Sequence, residues 1–300
     1  MRRTIPLLAA LAAGILLLLR PEAASEAVRD GLQLCARTVI PSLFPFFVVV
    51  SLLLQLGLAD CLQGVCAPFM GPLFRLRGVC ALPLLTGLLG GYPSGAKTAA
   101  DLYQQSRITR REAEVLLGFC DNCGPAFLLS YVGGSVLGSQ QAGACLYLIH
   151  VLAALLTGAM LCRLERGPLL LEDRRGVRPP AQPVPFPQAL TAAAAGAVTS
   201  TLHICAFVVL FRVLAALAPA WVPPPVLGVL EMVTGVAALS PGKTGFVAAA
   251  AIVGWGGLSV HCQALASTAP AGLSFRWHWA GKVLQAALSA ALAAGVYRLL

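Results

Sequence analysis

Five polar side chains lie in otherwise apolar stretches, and they are the candidates for chemistry. Lys97 and Asp101 follow a Gly- and Pro-rich turn, Asp121 and Asn122 precede a Gly-Pro pair, and Glu231 has apolar residues on both sides. An ionisable group in an apolar segment is costly and usually faces a cavity or a partner. An ammonium suits an anion, whereas a carboxylate beside an amide suits a cation, a hydroxyl or the edge of a base. These residue types therefore predict the binding of a small anionic or aromatic solute.

Each of these side chains also has a structural interpretation, which the sequence leaves open. Lys97 and Asp101 are four residues apart, so they share a helix face and can form an ion pair. Asp121 and Asn122 can cap a helix end at the break. Glu231 is harder to explain as a surface residue, and a solute-binding or proton-coupling role is the alternative.

Other reactive residue types predict no further chemistry. Cys120 and Cys123 form a lone C-x-x-C without a second pair of ligands, so we expect no metal and no cofactor. His203 is more typical of a packed, hydrogen-bonded histidine than of a ligand, and Arg212 can extend to an interface. Neither a nucleophile–base pair nor a phosphate-binding loop is recognisable, so we expect no enzyme.

The composition excludes an ordinary soluble domain. Of the 300 residues, 58% are hydrophobic and 11% are charged, and the mean hydropathy is +0.82. A soluble domain carries about 25% charged residues. The net charge of +9 comes largely from Arg residues in short segments between apolar stretches, as in membrane proteins. We expect a multi-pass protein in the lipid bilayer and no nucleic-acid partner.

Helix-breaking residues predict a re-entrant hairpin in the first half of the chain. Within Thr86–Asp101, positions 90, 91 and 93 are Gly, Gly and Pro, which interrupt helical hydrogen bonding. Lipid cannot satisfy the freed backbone groups, so protein or water must cover this turn. The expected arms of the hairpin are residues 78–89 and 94–104.

A broken span follows the hairpin. We expect a helix over residues 112–134 that begins at a capping box of Thr109 and Glu112 and is interrupted at Asp121–Pro125. Broken helices of this kind place free backbone groups where transporters bind their solutes.

The segment before the hairpin, Ala59–Arg77, carries two Arg residues and is predicted to be a cytoplasmic connection.

The second half repeats this order. Val226–Lys243 is predicted to be a second hairpin, and the span over Thr244–Leu265 is predicted to break at Gly254–Ser259. Three crossings in each half would orient the halves oppositely across the membrane, as in many secondary transporters.

The predicted fold is an all-α polytopic membrane protein with about seven transmembrane helices and two re-entrant helical hairpins in an inverted repeat. Its predicted parts are an N-terminal helix with an amphipathic lead-in, a first repeat, an Arg- and Pro-rich cytoplasmic linker and a second, inverted repeat: residues 1–37, 38–162, 163–187 and 188–300. The N-terminus is expected in the cytoplasm, because most Arg residues then lie on that side.

Several motifs resemble a known family. The segments GGYPSGAK at 90–97, FCDNCGPAF at 119–127 and IPSLFPF at 40–46 are similar to those of YlbJ-type sporulation integral membrane proteins. These proteins carry the nucleoside-recognition or Gate domain. The resemblance is strong over residues 30–160 and looser over 190–300, where Glu231–Gly235 is the expected counterpart.

The resemblance implies a transporter or channel in the mother-cell or forespore membrane of a spore-forming bacterium, with dipicolinic acid as its solute. An ion-coupled nucleoside-type carrier and a non-transporting scaffold of a sporulation membrane complex are the alternatives. A homo-oligomer or partners in such a complex stay open. The expected solute-binding residues are those of the hairpin turn, the break and the second half: Gly91, Tyr92, Pro93, Ser94, Gly95, Lys97, Asp121, Asn122, Gly124, Pro125 and Glu231.

Overall fold

The chain folds almost entirely into helices. The computed structural model describes residues 4–165, 184–219 and 221–299, and these residues contain no strand, which confirms the predicted all-α class. Most of the predicted linker lies outside the described residues. The α-helices, numbered along the chain, are α1 (Thr4–Leu19), α2 (Pro21–Leu34), α3 (Ile40–Gln55), α4 (Leu58–Phe74), α5 (Ala81–Gly90), α6 (Ser94–Gln104), α7 (Arg110–Leu116), α8 (Gln140–Leu164), α9 (Phe186–Ala216), α10 (Pro224–Leu230), α11 (Met232–Ala237), α12 (Lys243–Trp255), α13 (Gly257–Thr268) and α14 (Arg276–Val296).

Several helical segments are long and apolar enough to cross a membrane. Among the described residues there are four: Gln140–Leu164, Phe186–Ala216, Lys243–Ala271 and Arg276–Val296. A fifth is obtained if Cys61–Phe74 and Gly78–Gly90, which meet at an angle of 84°, form one broken span. A polytopic membrane fold is thus confirmed, whereas the predicted number of about seven spans stays a prediction.

Most of the segment Ala59–Arg77 is the helix α4, and its predicted role as a cytoplasmic connection stays a prediction. Its apolar side packs inward, with Met70 and Phe74 almost fully buried. The ring of Phe74 stacks on that of Phe119 at 5.1 Å between centroids. This burial stabilises a helix whose two internal prolines would otherwise disfavour it. Arg75 ends the helix in a left-handed conformation with φ 56°.

The predicted hairpin of the first half and the interruption predicted at Asp121–Pro125 are both found, whereas a membrane-spanning role for this broken helix stays a prediction. Helices α5 and α6 are the arms of the hairpin, and they pack against each other. Thr109 and Glu112 form the predicted capping box at the start of α7. Regular α-helix then ends at Leu116, earlier than predicted. The chain becomes helical again after Gly124, and Phe127–Val136 form a π-helical segment. We call residues 117–125 the central break.

The second half contains two further interruptions. Glu231 has an extended backbone, with φ −141° and ψ 114°, and it separates the short helices α10 and α11, which pack against each other. Gly256 adopts φ 90° between α12 and α13, inside the interruption predicted at Gly254–Ser259. The inverted relation between the halves, and the division of the chain into repeats, stay predictions.

Candidate functional site

The central break lies between three helices, and its polar groups make contact with each of them. The backbone N–H of Ala96 in α6 donates to Oδ1 of Asp121 at 3.5 Å, and the N–H of Cys123 donates to Nε2 of His150 in α8 at 3.0 Å. Lys282 of α14 donates from Nζ to the main-chain carbonyl oxygen of Asp121. The predicted break is therefore a buried junction and not a surface loop.

A hydrogen-bonded chain of side chains joins the central break to α14. Nζ of Lys282 donates to Oε1 of Gln285 at 2.9 Å, and Nε2 of Gln285 donates to Oδ1 of Asn122 at 2.8 Å. Nδ2 of Asn122 donates to the carbonyl oxygen of Phe119 at 2.8 Å, which keeps this side chain within the break. Lys282, Gln285, Asn122 and Asp121 are all fully buried. These four residues form what we call the break network.

The turn of the first hairpin covers the break network. The hydroxyl of Tyr92 donates to the carbonyl oxygen of Val253 at 2.8 Å, and the face of its ring lies 4.9 Å from Nζ of Lys282. The peptide bond between Tyr92 and Pro93 is cis. A Cβ built on Gly91 would lie 3.1 Å from the backbone nitrogen of Gly124. The hairpin turn, the central break and the end of α12 thus meet at one place.

Glycines let the hairpin arms approach the central break closely. A Cβ built on Gly95 would lie 1.9 Å from the carbonyl oxygen of Cys120, and one built on Gly87 would lie 1.8 Å from the same oxygen. Real Cβ atoms do not approach backbone oxygen so closely, so a side chain at either position would push the hairpin away from the break. The role of Gly95 is therefore to allow contact between backbones.

Replacing Gly95 by Ala should lower the free energy of unfolding by about 1–3 kcal/mol through overpacking. Gly196→Ala is the matched control, because a Cβ there meets nothing within 4 Å on α9. This control should be stabilised by about 0.5–1 kcal/mol, since Ala is the better helix former. Melting temperatures in detergent measure both effects, and equal stability of the two variants would contradict the close approach at Gly95.

Lys97 lies apart from the break network. Its Nζ is 2.7 Å from Oδ2 of Asp101, so the structural ion pair considered from the sequence is formed. The pair is partly exposed and lines a small crevice between α3 and α6, together with Phe46, Phe47, Val50, Ser51, Ser94 and Thr98. The fully buried ammonium beside Asp121 belongs to Lys282 instead.

Glu231 has its carboxylate occupied by the start of α11. Its two oxygens accept from the N–H of Val233 at 2.9 Å and the N–H of Thr234 at 2.6 Å, and Oε2 also accepts from the hydroxyl of Thr234. Nη1 of Arg212 lies 3.4 Å from that hydroxyl. Charged caps of this kind stabilise helix N-termini. These contacts account for the burial of Glu231 without a solute.

Glu231→Gln should lower the free energy of unfolding by about 1 kcal/mol, because one cap oxygen becomes an amide that cannot accept. The melting temperature of the variant in detergent checks this result, and unchanged stability would contradict the capping role of Glu231.

Helix α14 contributes to this site although no residue of it was predicted there. His278, Lys282, Gln285 and Ser289 lie at intervals of four, three and four residues, which places them on one helix face. All four are fully buried. This spacing was the available signal, but α14 was treated only as an apolar span. His203 was expected to be packed inside the protein, but its side chain is exposed on α9.

An ion-pair cluster joins the two halves near the start of α14. Glu165 accepts from Nη2 of Arg111 at 2.7 Å through Oε1 and from Nη2 of Arg276 at 3.1 Å through Oε2. Burial alone would raise the pKa of Glu165, but the hydrogen bond and charge of Arg111 and the charge of Arg276 hold it below its usual value. Arg110 bridges the same halves by donating to the carbonyl oxygen of Gly272 at 2.7 Å.

The described residues contain no group of three or more His, Cys, Asp or Glu side chains arranged to hold a metal ion. The site consists instead of one ammonium, two amides, one carboxyl group and an aromatic ring. Such a set can bind an anion through Lys282, and it can hydrogen-bond a polar heterocycle through Asn122 and Gln285. The ring of Tyr92 can stack on an aromatic solute.

Comparisons with known proteins agree with the resemblance seen in the motifs. Residues 36–139 match the Gate family model, described as nucleoside recognition. Over 138 residues the chain is 36% identical to the sporulation integral membrane protein YlbJ of Bacillus subtilis (strain 168). The alignment covers 46% of this chain and 34% of that protein, so the chain spans about a third of this relative. No solved structure matches the chain. These matches confirm the resemblance to YlbJ-type proteins.

Proposed function

We propose that this chain, a YlbJ-type membrane protein with a Gate segment, carries a small anionic or aromatic solute across the membrane at the break network. The observation that supports this proposal most directly is the buried ammonium of Lys282 beside Asn122 and Gln285 at the central break. The proposal assigns no enzymatic chemistry and no cofactor to the chain. A sporulation context is proposed because the similar protein of Bacillus subtilis is a sporulation integral membrane protein.

The electrostatics of the network favour an anion. Lys282 donates two hydrogen bonds to neutral oxygens, those of the Asp121 main chain and the Gln285 amide. An anion that enters the site can gain a strong charge-assisted hydrogen bond from this ammonium, in competition with the nearby carboxyl group of Asp121. Dipicolinic acid, the solute that the resemblance implies, combines two carboxylates with an aromatic ring.

The position of the network suits alternating access. All four of its residues are fully buried in this conformation, so a solute reaches them only when elements around the break move apart. The hairpin of α5 and α6 is the element that covers them through Tyr92. Movement of this hairpin relative to α14 would expose the ammonium, which is how discontinuous helices work in secondary transporters.

A nucleoside-type carrier is the second candidate. The amides of Asn122 and Gln285 are hydrogen-bonded to each other at 2.8 Å, and each offers both a donor and an acceptor to a base edge. The description of the matched family model as nucleoside recognition favours the same class. A scaffold without transport activity is the remaining alternative.

Uptake by the purified chain in lipid vesicles tests the proposal. Vesicles loaded with unlabelled dipicolinate should take up labelled dipicolinate by exchange, and saturably so. Parallel vesicles loaded with uridine test the second candidate with labelled uridine. Exchange of uridine alone would favour the nucleoside-type carrier. Exchange of neither compound by protein that melts cooperatively would contradict transport of both solute classes and favour a scaffold.

A further inference from the structure

A narrow cavity lies beside the break network, between α8, α12, α14 and the π-helical segment. Two polar side chains line it, His150 of α8 and Ser289 of α14. The rest of its wall is apolar: Leu128, Leu146, Ile149, Ala250 and Val253. Sites for small molecules commonly combine an apolar wall with a few polar groups. The two polar groups therefore decide whether this cavity can hold part of a solute.

His150 contributes a hydrogen-bond donor that the protein does not use. Its Nε2 accepts from the N–H of Cys123 at 3.0 Å, so this nitrogen carries no hydrogen. The hydrogen of the neutral imidazole is then on Nδ1. This Nδ1–H group is buried and has no hydrogen-bond partner among the described residues.

Ser289 contributes a hydroxyl in the same situation. Its side chain is fully buried, and its Oγ has no hydrogen-bond partner within the described part of the chain. A hydroxyl in a helix often donates to a carbonyl of the preceding turn, as that of Thr268 does to Ala264 at 2.8 Å. A buried polar atom without a partner is costly, and two of them at one cavity require an explanation.

A buried water molecule does not supply that explanation. A water needs space for itself and at least two polar partners. The cavity leaves no space for a water-sized molecule in this conformation. The Nδ1–H group of His150 and the hydroxyl of Ser289 therefore gain a partner only when the surrounding helices move apart.

The cavity is held by the same elements as the break network. Ser289 follows Gln285 by four residues, so both lie on the buried face of α14. A Cβ built on Gly254 would lie 2.9 Å from Oγ of Ser289 and 3.0 Å from the carbonyl oxygen of Gln285, which shows that α12 packs directly on this face. On the other side, His150 contacts the central break through Cys123.

Tyr92 lies at the boundary between the cavity and the network. Its ring is 4.9 Å from Nζ of Lys282, and its hydroxyl donates to the carbonyl oxygen of Val253, a residue of the cavity wall. The movement of the first hairpin that the proposed function requires would withdraw Tyr92 from both places. The ammonium and the two unused donors would then face one continuous space.

We propose that this cavity is a second subsite for the solute. Nδ1–H of His150 and the hydroxyl of Ser289 hold one acceptor group of the solute there, while Lys282 holds its anionic group. Lys282 and Ser289 are seven residues apart, which is about 10 Å along the helix axis. One aromatic ring with a carboxylate on each side can bridge such a separation, and two donors on one carboxylate form charge-assisted hydrogen bonds.

This inference rests on the proposed function and narrows its solute class. Lys282 alone would accept any small anion, whereas the subsite favours a solute with a second hydrogen-bond acceptor on the far side of an apolar ring. The protein should therefore prefer an aromatic dicarboxylate to the monocarboxylate of the same ring.

Ser289→Ala tests the subsite with dipicolinate and picolinate, which carry two carboxylates and one carboxylate on the same ring. Wild type in lipid vesicles should exchange dipicolinate with the lower half-saturation concentration. Ser289→Ala should reduce this preference about tenfold, because one hydrogen bond to the second carboxylate is lost. Half-saturation concentrations for both compounds, measured with wild type and variant, give the preference.

Thr157→Val is the matched control. The hydroxyl of Thr157 is also buried without a partner among the described residues, but it lies on α8 outside the cavity wall. Valine keeps the shape of the side chain, so this variant should have the wild-type preference. Wild type without a preference, or a wild-type preference in Ser289→Ala, would overturn the subsite. Failure of wild type to exchange either compound would instead contradict the proposed function.

Stability without solute tests the subsite independently. Removal of a buried hydroxyl that has no partner should leave the melting temperature unchanged or raise it, because folding no longer desolvates that group. Ser289→Ala and Thr157→Val should both behave in this way. A lower melting temperature for Ser289→Ala alone would show that its hydroxyl is bonded within the protein, and this would overturn its assignment to the solute.

Discussion

Lys282→Met should abolish uptake of an anionic solute, with a loss of at least about 100-fold. Removal of one partner from a buried charge-assisted contact costs about 2–5 kcal/mol of binding, and 1.4 kcal/mol corresponds to about tenfold. Methionine keeps nearly the length of the side chain, so packing against Tyr92 is preserved. Rates of labelled dipicolinate exchange in vesicles, at equal amounts of folded protein, measure the effect.

The same substitution should lower the free energy of unfolding by about 1–3 kcal/mol, because the Asp121 main-chain carbonyl and Oε1 of Gln285 lose their buried donor. The Gln285–Asn122 hydrogen bond is left in place. Comparing uptake at equal amounts of folded protein therefore separates function from folding at this position.

Lys97→Met is the matched control for Lys282→Met. Lys97 is partly exposed and paired with Asp101 at 2.7 Å, so loss of this pair should cost below about 1 kcal/mol and change uptake less than fivefold. Normal uptake by Lys282→Met would contradict the site at the break network. Loss of uptake by Lys97→Met alone would place the solute in the crevice between α3 and α6.

Glu112→Gln should lower the free energy of unfolding by about 3–5 kcal/mol, the usual cost of breaking a buried ion pair. The Glu112 side chain is 1% exposed and accepts two hydrogen bonds from Arg77, whose own side chain is 10% exposed. Oε2 also accepts from the N–H of Thr109 at 2.8 Å in the capping box. A neutral amide leaves the buried guanidinium without its counter-charge. Denaturant titration of the purified protein in detergent checks the result.

Glu114→Gln is the control for this prediction. Glu114 pairs with Arg110 at 2.8 Å on the surface of the same helix, where the arginine side chain is 58% exposed. Water and salt screen such a pair, so its loss should cost below about 1 kcal/mol. Equal destabilisation by the two substitutions would show that the buried pair of Arg77 and Glu112 contributes no more than a surface pair.

Much of the local structure could be predicted because it depends on neighbours in sequence. The capping box of Thr109 and Glu112, the hairpin turn and the interruption near Gly256 follow from short-range signals that act within a few residues. The pair of Lys97 and Asp101 is of the same kind, since helical spacing alone brings them together. Composition was likewise sufficient for the all-α membrane class.

Packing decides two features that local preference does not. The segment over α4 contains prolines and glycines that disfavour a helix, but burial of Met70 and Phe74 stabilises one. His203 was expected to be a packed, hydrogen-bonded histidine, yet it lies on the exposed side of α9. In both cases the result depends on which residues pack against each other in the folded protein, and the sequence alone does not give those contacts.

The sequence by itself determined the membrane class and the helix breaks, among them the one predicted at Asp121–Pro125. Only the tertiary structure decided which ammonium lies beside Asp121 and Asn122, because Lys97 and Lys282 are equally plausible by residue type. Lys282 is 161 residues from Asp121 along the chain, and its contact depends on how α14 packs against the break. Side-chain partners across such separations are set by burial and helix packing, which no local pattern encodes.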